Sequence, residues 1–226
     1  MRFTLSPAGV ILILKICAQR RFCAAVALKR PFYSVNLMYS IRFCDTQPQI
    51  DTMPVFKTIY HPLANGTGFR PLAYARCAYV ADRGMLVDLQ AFDRRPDDCA
   101  LTPPDGSCVG AAFGFGGGVL SALANAEGDC RVYVDGVLRP ELKPQTHAYA
   151  GEDETGWYWG VRFYLERAAL DAVGAGKLAA GREFKADFYK FRRSGDMAHI
   201  ASTCPAPADV DPVCPASALA DFVITA

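Results

Sequence analysis

Trp157–Leu165 reads WYWGVRFYL, and its period of two decides the fold class. Trp157, Trp159, Val161, Phe163 and Leu165 fall on one side, with Tyr158, Arg162 and Tyr164 on the other. Successive side chains of an extended chain point to opposite faces, so this alternation marks a half-buried β-strand. Met85–Phe92 (MLVDLQAF) follows the same rule: Val87, Leu89 and Ala91 face one way, Asp88 and Gln90 the other. In Glu183–Phe191 (EFKADFYKF), Phe184, Ala186 and Phe188 are set against Lys185, Asp187 and an outward Tyr189. Strands with one dry and one wet face suit two antiparallel sheets packed face to face.

Turn chemistry separates the strands at Asn65-Gly66, Asp82-Arg83-Gly84, Asp105-Gly106, Glu127-Gly128-Asp129 and Asp135-Gly136. Phe113–Leu120 (FGFGGGVL) is rich in glycine but lacks Gly-Lys-Ser/Thr and a following helix, so it reads as a hairpin or bulge. Only Leu165 to about Val173 reads as a helix, ending before Gly174 and Gly176. No strand–helix–strand rhythm appears, which excludes a nucleotide-binding α/β sheet. The expected fold is all-β: an antiparallel, jelly-roll-like β-sandwich with one short helix.

The 226 residues give room for one domain with an extension. With 51% hydrophobic and 21% charged residues the chain is not of the disordered type. A net charge of +1 offers no basic footprint, so nucleic acid is not an expected partner. No apolar run reaches the roughly 18 residues that cross a bilayer, so no membrane is expected either. The nine cysteines are Cys17, Cys23, Cys44, Cys77, Cys99, Cys108, Cys130, Cys204 and Cys214, and none forms a C-x-x-C pair. They read as free thiols of a reducing compartment, several buried. In an exported chain, Cys204 and Cys214 would close a C-terminal loop.

Residues 1–52 are a different kind of sequence, basic and poor in acids. Gly9–Cys17 (GVILILKIC) resembles the apolar part of a signal peptide. Lys15 interrupts it, however, and no small-x-small cleavage site follows. A targeting helix would need sustained helical periodicity, which is lacking. The expectation is therefore a poorly structured leader over 1–52, a natural start at Met53, a domain over 53–226 and a cytoplasmic location.

Phe184–Lys190 (FKADFYK), followed by His199, is similar to a strand and histidine loop of family 9 carbohydrate-binding modules, particularly the stand-alone bacterial type. Gly156–Leu170 (GWYWGVRFYLERAAL) resembles their tryptophan-led strand running into a short turn. Ser107-Cys108-Val109 stands where that family has Asp-x-Cys-x-Glu, and Asn125 with Gly128 resembles its Asn-x-x-Gly. Ala220–Ile224 (ADFVI) makes a final strand, so the resemblance runs from about Phe56 to the C-terminus. Three positions depart from it. Asp187 replaces an asparagine, Gly110 replaces a glutamate, and Ile200-Ala201-Ser202 follows His199 where a tryptophan is usual.

The resemblance implies non-catalytic saccharide binding, within carbohydrate catabolism, by aromatic faces and hydroxyl-bonding side chains. The candidate ligand-binding residues are Trp157, Tyr158, Tyr189, Asn125, Arg76 and His199. Each has a plainer reading: core packing for Trp157, a solvated sheet face for Arg76 and Asn125, an inert loop histidine for His199. No catalytic or metal-binding residue is assigned, no cofactor is expected, and calcium has no supporting motif. Two alternatives stay open. One is a degenerate module with a structural or protein-interaction role, since a Trp and a Glu are missing. The other is a glycan hydrolase using Glu152 and Glu154 of Gly151–Thr155 (GEDET), because glycosidases work with paired carboxylates.

Overall fold

The computed structural model describes residues 38–63, 68–93, 100–154 and 156–226. The Asn65-Gly66 turn, most of the leader and Cys17, Cys23 and Cys99 lie outside these residues. Strands β1 Tyr39–Cys44, β2 Val55–Lys57, β3 Tyr60–Leu63, β4 Leu72–Val80 and β5 Gly84–Phe92 come first. They are followed by β6 Ser107–Gly114, β7 Val119–Ala124, β8 Cys130–Val134, β9 Val137–Leu138, β10 Thr146–Asp153 and β11 Gly156–Glu166. A short helix, α1 Arg167–Asp171, precedes β12 Glu183–Arg192, β13 His199–Ser202 and β14 Ala220–Thr225.

These strands form one curled sheet in the order β10-β11-β5-β4-β1-β14-β12-β6-β7-β8-β9. The curl brings β10, β11, β5 and β4 over β14, β12, β6, β7 and β8, giving the two layers of a sandwich. Its filling is a single cluster in which Trp159, Val87 and Ala75 of one layer meet Phe188, Phe113 and Leu120 of the other. The alternation in β11 holds: Trp159, Val161, Phe163 and Leu165 are buried in that cluster, with Trp157 packed half-buried at its margin. In α1 Ala169 and Leu170 face the core, and the chain turns out at Gly174 with φ +75°. FGFGGGVL is the β6–β7 hairpin. At the β8–β9 turn both Asp135 and Gly136 have positive φ, the pairing that matches strand twist in a two-residue hairpin.

The sheet corrects the purely antiparallel expectation, for it is mixed. β1 lies parallel to both β14 and β4, with Arg42 opposite Ala78 and Ile41 opposite Ile224. The leader expectation is corrected by the same strand, because residues 39–44 are part of the sandwich. Short apolar bursts among basic residues hid it, six residues being too few for a periodicity to show. Ile41 is 1% exposed, and Met53 is buried against Ala78, Val80 and Leu86 on the outer side of the first layer. On the same side of the molecule β2 pairs with β4 while β3 pairs with β13, which continues to β12. Two sets of strands thus stitch this corner shut. Truncating Ile41 to Ala should lower unfolding free energy by about 2–4 kcal/mol in a denaturant melt, as for other buried large-to-small changes. An unchanged midpoint would show that β1 does not hold the layers together.

Candidate functional site

Strand parity puts one set of side chains on the outer face of the first layer. From β11 these are Tyr158, Gly160 and Arg162, opposite Phe92, Gln90 and Asp88 of β5. Leu72, Tyr74 and Arg76 of β4 continue the rows, and Gly151, Tyr149 and His147 of β10 lie on the other flank. Tyr74, Phe92 and Tyr158 form a line of half-buried rings, with centroids 5.5 and 5.8 Å apart. Two glycines let neighbouring rings lie across the sheet. A Cβ on Gly151 would come within 2.7 Å of Tyr158 Cζ, and one on Gly160 would strike the tip of the Tyr149 ring.

A polar row runs beside the rings. Asp88, 2% exposed, accepts hydrogen bonds from Arg162 Nε at 3.1 Å and from the Tyr149 hydroxyl at 3.2 Å. Arg76 Nη1 lies 3.6 Å from its other oxygen. Burial first, and the Asp88 charge second, hold the Tyr149 phenol well above its usual range, so the hydroxyl stays protonated and donates. Beyond Arg162 the segment after β1 leaves a shallow hollow of about 470 Å³, lined by Gln47, Gln49, Asp51 and Arg162. Aromatic planes beside hydrogen-bonding groups are the two halves of a sugar-binding surface.

A second polar cluster is fully buried between the layers. Three acceptors stand around Lys190 Nζ: Asp93 Oδ2 at 2.9 Å, Ser107 Oγ at 2.7 Å and His199 Nε2 at 3.2 Å. His199 Nδ1 is 2.6 Å from the Met197 carbonyl, which can only accept, so Nδ1 carries the proton and Nε2 receives the lysine bond. Burial, then the lysine charge, pushes the His199 pKa down to about 3, keeping the ring neutral. Trp159 lies under the ammonium, with Nζ 5.9 Å from its ring.

The sequence-derived candidates fall in different places. Tyr158 and Arg76 share the outer face, while Trp157 points the other way, half-buried on the core margin. Tyr189, expected to face outward, is 1% exposed and packs with Phe191, Leu123 and Ile200. Alternation set its side correctly, but that side of β12 is covered by Val210, Val213 and Leu219 of the C-terminal segment. Asn125 is 1% exposed and organises a turn. Its Oδ1 accepts the Glu127 and Asp129 amides at 3.1 and 2.9 Å, and its Nδ2 donates to Leu101 O. His199, expected in a loop, opens β13 at 2% exposure. Glu152, Asp153 and Glu154 are exposed at the end of edge strand β10, with Thr155 outside the described residues. Cys204 and Cys214 are both free thiols, so they do not close a loop with each other. Among the described residues no His, Cys, Asp and Glu group has the composition of a metal site, and no helix is long and apolar enough to cross a membrane.

Sequence reasoning missed Tyr74, Phe92 and Tyr149 as partners of Tyr158. Parity within Leu72–Val80 carried part of the signal, placing Tyr74 with Arg76, but the cross-strand register that assembles the row is not written in any one strand.

This arrangement, a curled mixed sheet folded into a two-layer sandwich, is similar in fold to carbohydrate-binding modules. The likeness is to those of family 9 in particular. A family 9 module from Caldicellulosiruptor kristjanssonii in complex with cellotriose superposes with TM-score 0.54 at 11% identity, over 82% of this chain and 93% of that one. The same organism's family 9 module in complex with glucose gives 0.52 at 11% identity, over 82% and 95%. A Bacteroides uniformis protein ascribed to carbohydrate binding gives 0.57 at 15% identity, over 83% and 98%. No protein-family model and no curated protein matches the sequence.

Asp187, the residue standing for an asparagine, is buried in β12, and its Oδ1 accepts the amides of Phe188, Thr203 and Cys204. An asparagine oxygen would accept the same bonds. Burial pushes the carboxyl up to about 7, with the Phe188 and Cys204 amides pulling the other way. A folded pKa above the unfolded one favours the fold at low pH, and that contribution drains away as pH rises from about 4 through about 7. Asp187→Asn should therefore be more stable than the parent by ~1–3 kcal/mol at about pH 8 and nearly equal to it at about pH 3, in paired urea melts. Equal effects at both values would sink this account.

Proposed function

We propose that the protein is a non-catalytic saccharide-binding module whose ligand lies along the outer face of β10, β11, β5 and β4. The observation that carries this reading is the line of Tyr74, Phe92 and Tyr158 rings beside the row of Arg76, Asp88, Arg162 and Tyr149. A pyranose ring has an apolar C–H face and a rim of hydroxyls. The rings offer area to the first, while Gln90 and the charged row offer hydrogen bonds to the second. The likeness in fold to modules seen with cellotriose and glucose supports a saccharide as the ligand class.

Trp157 supports this face from behind. It anchors the start of β11 on the core, and its carbonyl accepts the Asp93 amide at 3.4 Å, fixing where Tyr158 emerges. The roles of Tyr189, Asn125 and His199 in this reading are structural, each holding a buried side chain or a turn.

Isothermal titration against a panel of oligosaccharides tests the proposal. Tyr158→Ala should weaken binding roughly tenfold or more, as loss of a central aromatic contact does at other interfaces. Gly151→Ala should weaken it too, by displacing the Tyr158 ring while leaving every ligand-facing group in the protein. Binding that survives both changes, or no binding to any saccharide in the panel, would refute the placement or the function respectively.

A further inference from the structure

We infer that the saccharides taken by this face are acidic, a uronate carboxylate lying against Arg76 and Arg162; the inference rests on the saccharide-binding reading. One carboxylate, Asp88, stands between the two guanidiniums, so the trio keeps a net positive charge. Asp88 is already engaged. Its Oδ1 serves both Arg162 Nε and the Tyr149 hydroxyl, and its Oδ2 reaches Arg76 only at 3.6 Å, too far for a good hydrogen bond. Arg76 Nε is buried without a hydrogen-bond partner. The two arginines therefore hold more donors than Asp88 can bond.

The kind of unfilled bonding decides the ligand. A neutral sugar hydroxyl both donates and accepts, and is best met by groups of mixed character. Guanidinium only donates, and the Asp88 Oδ1 beside it already takes two hydrogen bonds, so the group that best meets the surplus donors is one that only accepts. A carboxylate does this, and its plane matches the fork of an arginine. Both guanidiniums are held from below and partly open above, with side chains 20% and 34% exposed. Lys57, 5.7 Å over the Tyr74 ring, adds a cation beside the aromatic line. The facing acids are at the margins: Asp51 in the hollow by Arg162 and the exposed Asp153 at the end of β10. His147, exposed, sits opposite Arg162.

Titration calorimetry with tetragalacturonate, cellotetraose and a single-stranded oligonucleotide of matching charge tests the inference. Tetragalacturonate should bind at least about tenfold more tightly than cellotetraose, and the preference should shrink as salt rises from about 50 to about 500 mM. Arg162→Gln should erase the preference, and Arg162→Lys should restore only part of it, because the charge returns without the fork. Lys185→Gln, remote on β12, should change nothing. Cellotetraose binding as well as tetragalacturonate would overturn the acid preference and leave saccharide binding standing. Silence toward both sugars would remove both readings. An oligonucleotide held as tightly as tetragalacturonate would overturn the inference, since attraction would then be for charge alone.

Discussion

The Lys190 ammonium sits between the two layers with its charge met by Asp93, and much of the sandwich is arranged around that fact. Lys190 belongs to β12, Asp93 follows β5 in the opposite layer, and their 2.9 Å contact joins the layers. A buried ammonium costs several kcal/mol unless paired and hydrogen-bonded, so the surroundings are constrained to supply acceptors. Ser107 at the head of β6 and His199 at the head of β13 supply them. The histidine must be neutral to accept, and the Met197 carbonyl fixes the tautomer that allows it. Apolar packing alone would tolerate a slide of one layer over the other. This cluster does not, because a shift of one residue would leave a charge unpaired in a dry interior.

Local pattern made the strands legible, and physics of assembly hid the rest. β11 could be read outright, since Trp159, Val161, Phe163 and Leu165 are buried by one continuous core. β12 could be read on one side only. Tyr189 alternates as an outward residue should, but the C-terminal segment covers that side, and nothing within EFKADFYKF reports a covering made by residues more than a dozen positions away. β1 was hidden for a different reason: a six-residue strand is short, and its parallel pairing on both sides leaves no hairpin turn to announce it. The site was partly legible as well. Tyr158 and Arg76 were visible as outward residues, yet their neighbours Phe92, Tyr74 and Tyr149 come from three other stretches that only the register brings together. FKADFYK and His199, the resemblance that pointed to a family 9-like fold, mark the interior cluster and not the outer face of the first layer.

Two glycines show how an open face is prepared for stacking. A ring standing upright on a strand exposes its edge, whereas a ring lying over a residue without a side chain can expose its face. Gly151 and Gly160 make that room for Tyr158 and Tyr149. Asp88 does the equivalent for charge. Sunk to 2% exposure and held by Tyr149, it fixes the Arg162 guanidinium from below and thereby orders a flexible side chain.

β1 and β14 are neighbours in space but distant along the chain: the Thr225 hydroxyl donates to the Ile41 carbonyl across 184 residues. During synthesis on the ribosome β1 is made early and must wait for β14. Until then one edge of β1 and one edge of β12 stay unpaired, templates for other chains. Sandwiches dominated by such distant contacts fold slowly. The seam that locks the mature molecule is therefore also its window of risk, and crowding by nascent copies of itself is the hazard it must outlast.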